Sequence, residues 1–501
     1  MRASSYNIYI PLPNEPEYEL LIHGYTGAVD KVSKELAAYI RSLKFARASV
    51  SNNGHNGHYT PSPETIEILK RRGYITDKPK GEEEAFFVKM ATRLQASNLI
   101  SPPSYVFMLT YDCNLRCPYC YQEDLRLNRK QSHLFHTHGQ FVRMDKAMID
   151  NIFRGIRDIE SAHSFSNTSK NREITLYGGE PLRATNREIV EYIMSKAKDY
   201  EGWDTVSFFA VSNGTELHHY EDLLGEDGIS SLQITLDGPP RIHNKLRVYA
   251  DGKGSFDHIA KNISMAIEKG AYVGLRVNVD RNNIIYLPEL ADIIEEMGWA
   301  HHASLFSAHV APIQRGVANT RYDTEHLYST WELHQEIERL KEQYENMRIF
   351  SVGRYVRVKS KLFKLMGEEK EQLGSMSPIF CGAHAGMYVI DPTGDIYACW
   401  ERVGDRNIRI GYIENGRFVR TSMYHMWKDR HVGSNVVCRQ CPYALFCGGG
   451  CASQACIVNG NMFTNYCDGF KRLFHNAAWS AYNDFLTNEV EQEKSPYLCD
   501  T

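Results

Sequence analysis

The spacing of apolar and polar residues changes along the chain, and the changes divide it. Near the start, two short apolar runs at 6–10 and 19–23 predict strands. Val29, Val32, Leu36, Ile40 and Leu43 then recur at steps of three and four, which predicts one amphipathic helix. A loop rich in Asn, Gly, His and Ser follows at 49–59. Ser62 and Pro63 suit an N-cap and first turn and Gly73 a stop, so a second helix is predicted over 64–72. That order of elements suggests a winged-helix-like module over 1–100. From 101 to 320 the pattern is regular. β-Branched apolar runs at 105–111, 174–177, 206–212, 232–236, 272–279 and 304–310 alternate with helical patterns such as 187–200, 256–269 and 287–297. Six such alternations predict an α/β fold, a parallel sheet covered by helices, with chemistry where strands end and loops begin. A polar helix over about 324–346 dominates a bridge at 321–375. A cysteine-rich region at 376–470 and a C-terminal helix and tail at 471–501 complete the chain.

Composition narrows the function classes. With 43% hydrophobic and 24% charged residues among 501, the chain is neither disordered nor collagen-like. A formal charge of −4 gives no case for a nucleic-acid or membrane-surface binder. The N-terminus lacks a basic stretch before an apolar run, and no stretch approaches the roughly 20 apolar residues of a bilayer span. A cytoplasmic location is therefore expected, where thiols stay reduced and clustered cysteines point to metal. The 12 cysteines are clustered: three lie within 113–120, none within 121–380, and nine within 381–499.

Cys113, Cys117 and Cys120 form C-x3-C-x2-C directly after the first strand of the alternating region. Three thiolates on a short loop suit a [4Fe–4S] cluster with one iron left open, since cysteine thiolates are its usual ligands. A structural zinc site would want a fourth ligand, and no fourth cysteine or histidine stands nearby in sequence. This motif resembles that of the radical S-adenosylmethionine (SAM) superfamily, which implies a partial (β/α)6 TIM barrel. In that family the open iron chelates SAM, and its reductive cleavage gives a 5′-deoxyadenosyl radical that abstracts hydrogen from substrate. The resemblance implies that Tyr119 contacts adenine. It matches Gly178, Gly179, Glu180 and Pro181 to the family's GGEP, where glycines let the backbone approach the methionine amino group. TLDGPPRIHNKLR resembles a segment of anaerobic sulfatase maturases, which places Thr235 at the SAM ribose and Arg247 at its carboxylate. Ser212 and Asn213, ending the third strand, are further cofactor-binding candidates.

The second group, Cys438, Cys441, Cys447, Cys451 and Cys467 with Cys381 and Cys399 upstream, looks like a SPASM domain, which carries two auxiliary [4Fe–4S] clusters. The resemblance assigns Cys438, Cys441, Cys447 and Cys467 to one cluster and Cys381, Cys399 and Cys451 to the other, giving three clusters with the SAM-binding one. The last cluster lacks a fourth cysteine, leaving Cys456, His384 or an open iron. Cys499 is expected to be a free thiol. Trp400 stands where sulfatase maturases carry a proposed catalytic aspartate, and it cannot accept a proton. Glu401 is next to it, but in a strand it would point to the opposite face. No catalytic base is assigned. These resemblances imply a maturase of a ribosomally made precursor peptide, acting by crosslinking, epimerisation or backbone rearrangement. Residues 1–100 would bind the leader, and a flavodoxin or ferredoxin would supply electrons. The alternatives are a maturase of a folded protein, an enzyme of small-molecule or quinone-cofactor synthesis, and a non-catalytic Fe–S carrier or zinc-stapled scaffold.

Overall fold

The computed structural model describes the chain outside residues 44–58, 124, 126–131, 136–138, 164–169, 315–321, 367–375 and 494–501. Most of the 49–59 loop, part of the bridge and Cys499 thus lie outside the described residues.

The N-terminal part is a three-stranded antiparallel sheet of β1 (Asn7–Pro11), β2 (Tyr18–His23) and β3 (Val29–Ser33), followed by helices α1 (Lys34–Ser42), α2 (Pro63–Arg71) and α3 (Lys80–Leu99). The helix expected to run through Val29–Leu43 is therefore split. Ser33 is the reason: its side chain accepts from the Leu36 backbone N–H at 3.2 Å, starting the helix there. Val29 and Val32, both β-branched, fall into a strand paired with β2. One face of this sheet sets Leu21 and Val32 against Ala37, Ile40 and Leu69 of α1 and α2. Ile8, Ile10, Leu20 and Ile22 share a second core with Phe446 and Phe474 from the C-terminal region. The N-terminal unit is thus packed between its own helices and the cysteine-rich region.

The central sheet contains β4 (Ser104–Met108), β5 (Asn171–Tyr177), β6 (Thr205–Ser212), β7 (Ile229–Thr235), β8 (Tyr272–Val279) and β9 (Phe306–Pro312), paired in parallel in that order. Helices α4 (Lys146–Ala162), α5 (Arg187–Lys198), α6 (Pro240–Leu246), α7 (Phe256–Glu268) and α8 (Leu287–Glu296) lie in the connections. The chain order is that of a partial barrel. A polar helix, α9 (Thr330–Gln343), leads to a short seventh strand, β10 (Phe350–Ser351), beside β9. That helix starts six residues later than its polar pattern suggested, because Ser329 and Glu332 form a capping box. Helix α10 (Gly353–Met366) follows.

The cysteine-rich region joins the barrel through backbone pairing. Its first strand, β11 (Met387–Ile390), pairs in parallel with β4, and β12 (Asp395–Tyr397), β13 (Gly411–Glu414) and β14 (Arg417–Arg420) continue the same sheet antiparallel. A final helix, α11 (Phe470–Glu493), packs on α10.

Opposite ends of the strands have opposite characters. At the N-terminal ends, Glu160 of α4 accepts hydrogen bonds from Tyr105 Oη, Trp203 Nε1 and Arg172 Nε, each at 2.9 Å, and from Arg172 Nη2 at 2.7 Å. This buried knot ties β4, β5 and the approach to β6 together. Along β8, Val273, Leu275, Val277 and Val279 are fully buried in the main core. The alternate residues, Tyr272, Gly274, Arg276 and Asn278, turn to the inner wall and are less buried. Among the described residues, no helix is long and apolar enough to cross a membrane.

Candidate active site at the strand C-termini

The loop carrying the first three cysteines leaves β4 and is pinned on two sides. The Cys120 N–H donates to Cys117 O at 3.1 Å, closing a turn. Arg116 N–H donates to Val248 O at 2.8 Å, and Ala250 N–H to Asn114 O at 3.1 Å, so the segment after Arg247 holds the other edge. None of the described cysteines is in a disulfide.

The Gly-Gly-Glu-Pro segment after β5 buttresses this loop. Gly179 N–H donates to Thr110 O at 2.8 Å and Glu180 N–H to Asp112 O at 2.9 Å. Gly178 has φ +151°, and a Cβ on Gly179 would lie 2.1 Å from Asp112 O. The close approach these glycines permit is thus first to the backbone of the cysteine loop. The Glu180 carboxylate is buried and accepts from Ser212 Oγ at 2.7 Å, the Asn213 N–H at 2.6 Å and the Leu182 N–H at 2.9 Å. Burial pushes its carboxyl up to about 7, against those three donors. Asn213 in turn places its side-chain amide 3.7 Å from Cys113 Sγ and 2.8 Å from Asn114 Oδ1. Glu180 and the adjacent pair Ser212 and Asn213, about 30 residues apart, form one chain of contacts ending at Cys113.

Tyr119 and Arg247 also meet. Arg247 Nη1 donates to Tyr119 Oη at 2.8 Å, and Tyr119 donates to Asp237 Oδ2. Asp237 is fully buried, and its other oxygen accepts from the Asn278 N–H at 3.0 Å. Its own N–H donates to His243 Nδ1 at 3.2 Å. Thr235 ends β7 just before this group and is buried. Asp237 and His243 are the residues that sequence reasoning passed over. Asp237-Gly238 reads as an ordinary turn, and the only signal for His243 was its place in the TLDGPPRIHNKLR segment.

The later cysteines fall into two neighbourhoods. Cys438 lies within the fields of Cys447, Cys441 and Cys467, while Cys399 lies within those of Cys381 and Cys451. Burial, then these neighbours, pushes Cys438 up to about 12 and Cys441 to about 11. Burial, with Glu401 and Cys381 close by, takes Cys451 to about 12. Thiols so crowded ionise only against compensating positive charge, which fits metal-ligating thiolates. Among the described residues, no three His, Cys, Asp or Glu side chains converge on one metal ion. His384 has both ring nitrogens engaged, Nδ1 with Trp427 O at 2.9 Å and Nε2 with Arg430 Nη1 at 3.1 Å. It therefore has no nitrogen free for a cluster. Cys456 Sγ lies 3.8 Å from Arg402 Nη1.

Near Cys399 the reading of Glu401 changes, while that of Trp400 does not. Trp400 stacks on Tyr177, with ring centroids 5.5 Å apart and planes 17° from parallel, a packing role. Residues Trp400–Arg402 form a 3-10 turn, so the alternation expected of a strand does not apply. Glu401 turns back toward Cys399 and Cys451, and toward Tyr177 and Arg276 on the barrel wall.

Residues 107–294, from the first strand to the last turns of α8, match the model of the radical SAM superfamily. The chain carries a radical SAM domain. Similarity to curated radical SAM proteins runs beyond that domain. The chain is 23% identical over 390 residues to the cysteine-type anaerobic sulfatase-maturating enzyme of Clostridium novyi, covering 75% of this chain and 94% of that one. It is 25% identical over 366 residues to the mycofactocin maturase MftC of Mycobacterium tuberculosis, covering 70% and 79%. The solved structure of native anSMEcpe with bound AdoMet and the Cp18Cys peptide superposes with a TM-score of 0.54 at 15% identity, over 77% of this chain and all of that one, and shows the same fold. A radical SAM domain works with a [4Fe–4S] cluster and SAM. The residues present suit that pair: three thiols on a loop braced from both sides, and beside them a Tyr119–Asp237–Arg247 group whose Asp237 and Arg247 are buried.

Proposed function

We propose that this radical SAM enzyme modifies a ribosomally made peptide through hydrogen abstraction from a side chain or α-carbon. The observation that carries the reading is the reach of the similarity to two maturases, which covers 75% and 70% of this chain and so extends well beyond residues 107–294. Cys113, Cys117 and Cys120 would hold the SAM-binding cluster, which with SAM supplies a 5′-deoxyadenosyl radical. Gly178, Gly179 and Glu180 shape the backbone at its edge, and Ser212 and Asn213 complete that wall. Tyr119 would face the adenine, Thr235 the ribose and Arg247 the SAM carboxylate, its guanidinium aligned by Tyr119 and Asp237. Cys438, Cys441, Cys447 and Cys467 would hold one auxiliary cluster and Cys381, Cys399 and Cys451 the other. The two neighbourhoods of close-set thiols support that division, which makes three clusters. The three-stranded N-terminal sheet would take the leader peptide, and a flavodoxin or ferredoxin of the cytoplasm would deliver electrons.

Because Ile8, Ile10, Leu20 and Ile22 pack into the C-terminal core, removing residues 1–100 would open that core as well as test leader binding. The direct test is co-expression with a short peptide encoded beside this chain. Mass spectrometry and chiral amino-acid analysis should show a SAM-dependent change in the peptide. A peptide left unaltered by protein that cleaves SAM would overturn the reading. Similarity to the sulfatase-maturating enzyme favours a folded protein as the second substrate class, but Trp400, stacked on Tyr177, supplies no proton acceptor where those enzymes carry an aspartate.

A further inference from the structure

The inner wall of the barrel carries an arginine to which the cluster and SAM assignments give no task. Arg276 lies on β8 in register with Thr235 of β7 on one side and His309 of β9 on the other. The three residues therefore form one polar rung across neighbouring parallel strands. In a closed barrel such layers are filled by packed aliphatic side chains.

Arg276 Nε donates to Asn278 Oδ1 at 2.8 Å, which fixes the plane of the guanidinium from the same strand. Among the described residues, no carboxylate pairs with Arg276 at ion-pair distance. The acidic and phenolic groups whose fields reach it are Tyr177, Tyr119, Asp237 and Glu401. This places the guanidinium between the Tyr119–Asp237–Arg247 group and the turn after Cys399. Asp237 is already committed to Tyr119 and to the Asn278 N–H. Burial outweighs those fields and holds Arg276 below the usual range for arginine. His309 is held down to about 4 by burial and by Arg276 beside it, so at neutral pH it is an uncharged imidazole. A largely buried arginine with no carboxylate at ion-pair distance costs stability that an aliphatic residue would not, and its guanidinium fork matches an incoming carboxylate.

We propose that the Arg276–His309 rung is a carboxylate-binding subsite that anchors the substrate inside the barrel. This rests on the reading of the substrate as a peptide and names the group recognised. The carboxylate comes either from an acidic side chain or from the peptide's C-terminus. Arg276 supplies the charge, and the imidazole supplies a neutral hydrogen bond.

The test is equilibrium dialysis of four radiolabelled probes against the anaerobically reconstituted full chain. The acidic side chain is represented by N-acetyl-aspartate N-methylamide, with N-acetyl-asparagine N-methylamide as its neutral match. The C-terminus is represented by N-acetylglycine, with N-acetylglycine N-methylamide as its match. At least one carboxylate probe should bind about tenfold or more tighter than its match, the scale of one charge-assisted hydrogen bond. Which probe it is identifies the source. Arg276→Gln should erase the preference, Arg276→Lys keep part of it, and His309→Asn reduce it less, while SAM affinity stays within about twofold, well short of one hydrogen bond to charge. Equal binding of carboxylate and amide, or a preference that survives in Arg276→Gln, overturns the proposal. So does a tenfold loss of SAM affinity in Arg276→Gln, which would assign the arginine to SAM's own carboxylate. If Arg276→Gln does not fold, the same readings apply to Arg276→Lys. Dialysis needs no turnover, so a retained preference beside an unaltered co-expressed peptide would overturn the peptide reading and leave the subsite standing.

Discussion

Protein in which Cys113, Cys117 and Cys120 are all replaced by alanine is expected to form no 5′-deoxyadenosine above background. On the three clusters proposed above, its iron should fall from about twelve to about eight per chain, since each [4Fe–4S] cluster accounts for four. The selectivity of the loss follows from the architecture. The cysteine loop is fixed by backbone bonds from Arg116, Asn114, Gly179 and Glu180, none of which uses a cysteine side chain. The loop should therefore keep its course when the thiols are removed. The C-terminal cysteines lie on separate elements after β11, so their iron should remain. Iron and sulfide analysis together with chromatography of the SAM products checks both halves. Continued 5′-deoxyadenosine formation would mean that the SAM site lies elsewhere in the chain. Iron lost entirely would mean that the clusters are not independent.

Replacing Glu160 by alanine is expected to destabilise the chain by about 3–5 kcal/mol, the usual consequence of removing one partner of a buried ion pair. The carboxylate serves four donors at the N-terminal end of the barrel: the Tyr105 hydroxyl, the Trp203 indole and two nitrogens of Arg172. The Arg172 side chain is 2% exposed, so removing Glu160 takes the facing carboxylate from a charge that stays buried. Glu160→Gln keeps one acceptor oxygen and should cost less. A chain of this size need not unfold in two states, so the fitting readout is the first urea transition followed by tryptophan fluorescence, with Trp203 as a local reporter. Because the knot lies at the strand ends opposite the cysteine loop, SAM cleavage by the folded fraction should be unchanged. A transition that does not move would show that the knot carries little of the barrel's stability.

The parts of the fold that could be read from sequence are those set by local spacing. The apolar run at 272–279 coincides with strand β8, and the C-x3-C-x2-C loop follows the first barrel strand as its position implied. Features that depend on one side chain's hydrogen bond were not legible at that level. Ser33 caps a helix and so turns Val29 and Val32 into a strand. The 3-10 turn at Trp400–Arg402 redirects Glu401 in a way that strand alternation could not anticipate. Distance in sequence hid other features. The apolar face of the N-terminal sheet finds its partners more than 400 residues later, at Phe446 and Phe474. The contact from Glu180 through Asn213 to Cys113 joins three separate loops. Arg276 escaped notice because the periodicity that predicts a strand comes from its apolar face, and Arg276 lies on the other.

The account stands on the wild-type chain generating a radical from SAM. The measurement is made on protein reconstituted anaerobically, with iron and sulfide determined first, then mixed with a low-potential reductant and SAM. The account predicts that 5′-deoxyadenosine and methionine appear together in equal amounts, and only when reductant is present. A chain loaded with its full iron that leaves SAM intact would contradict it.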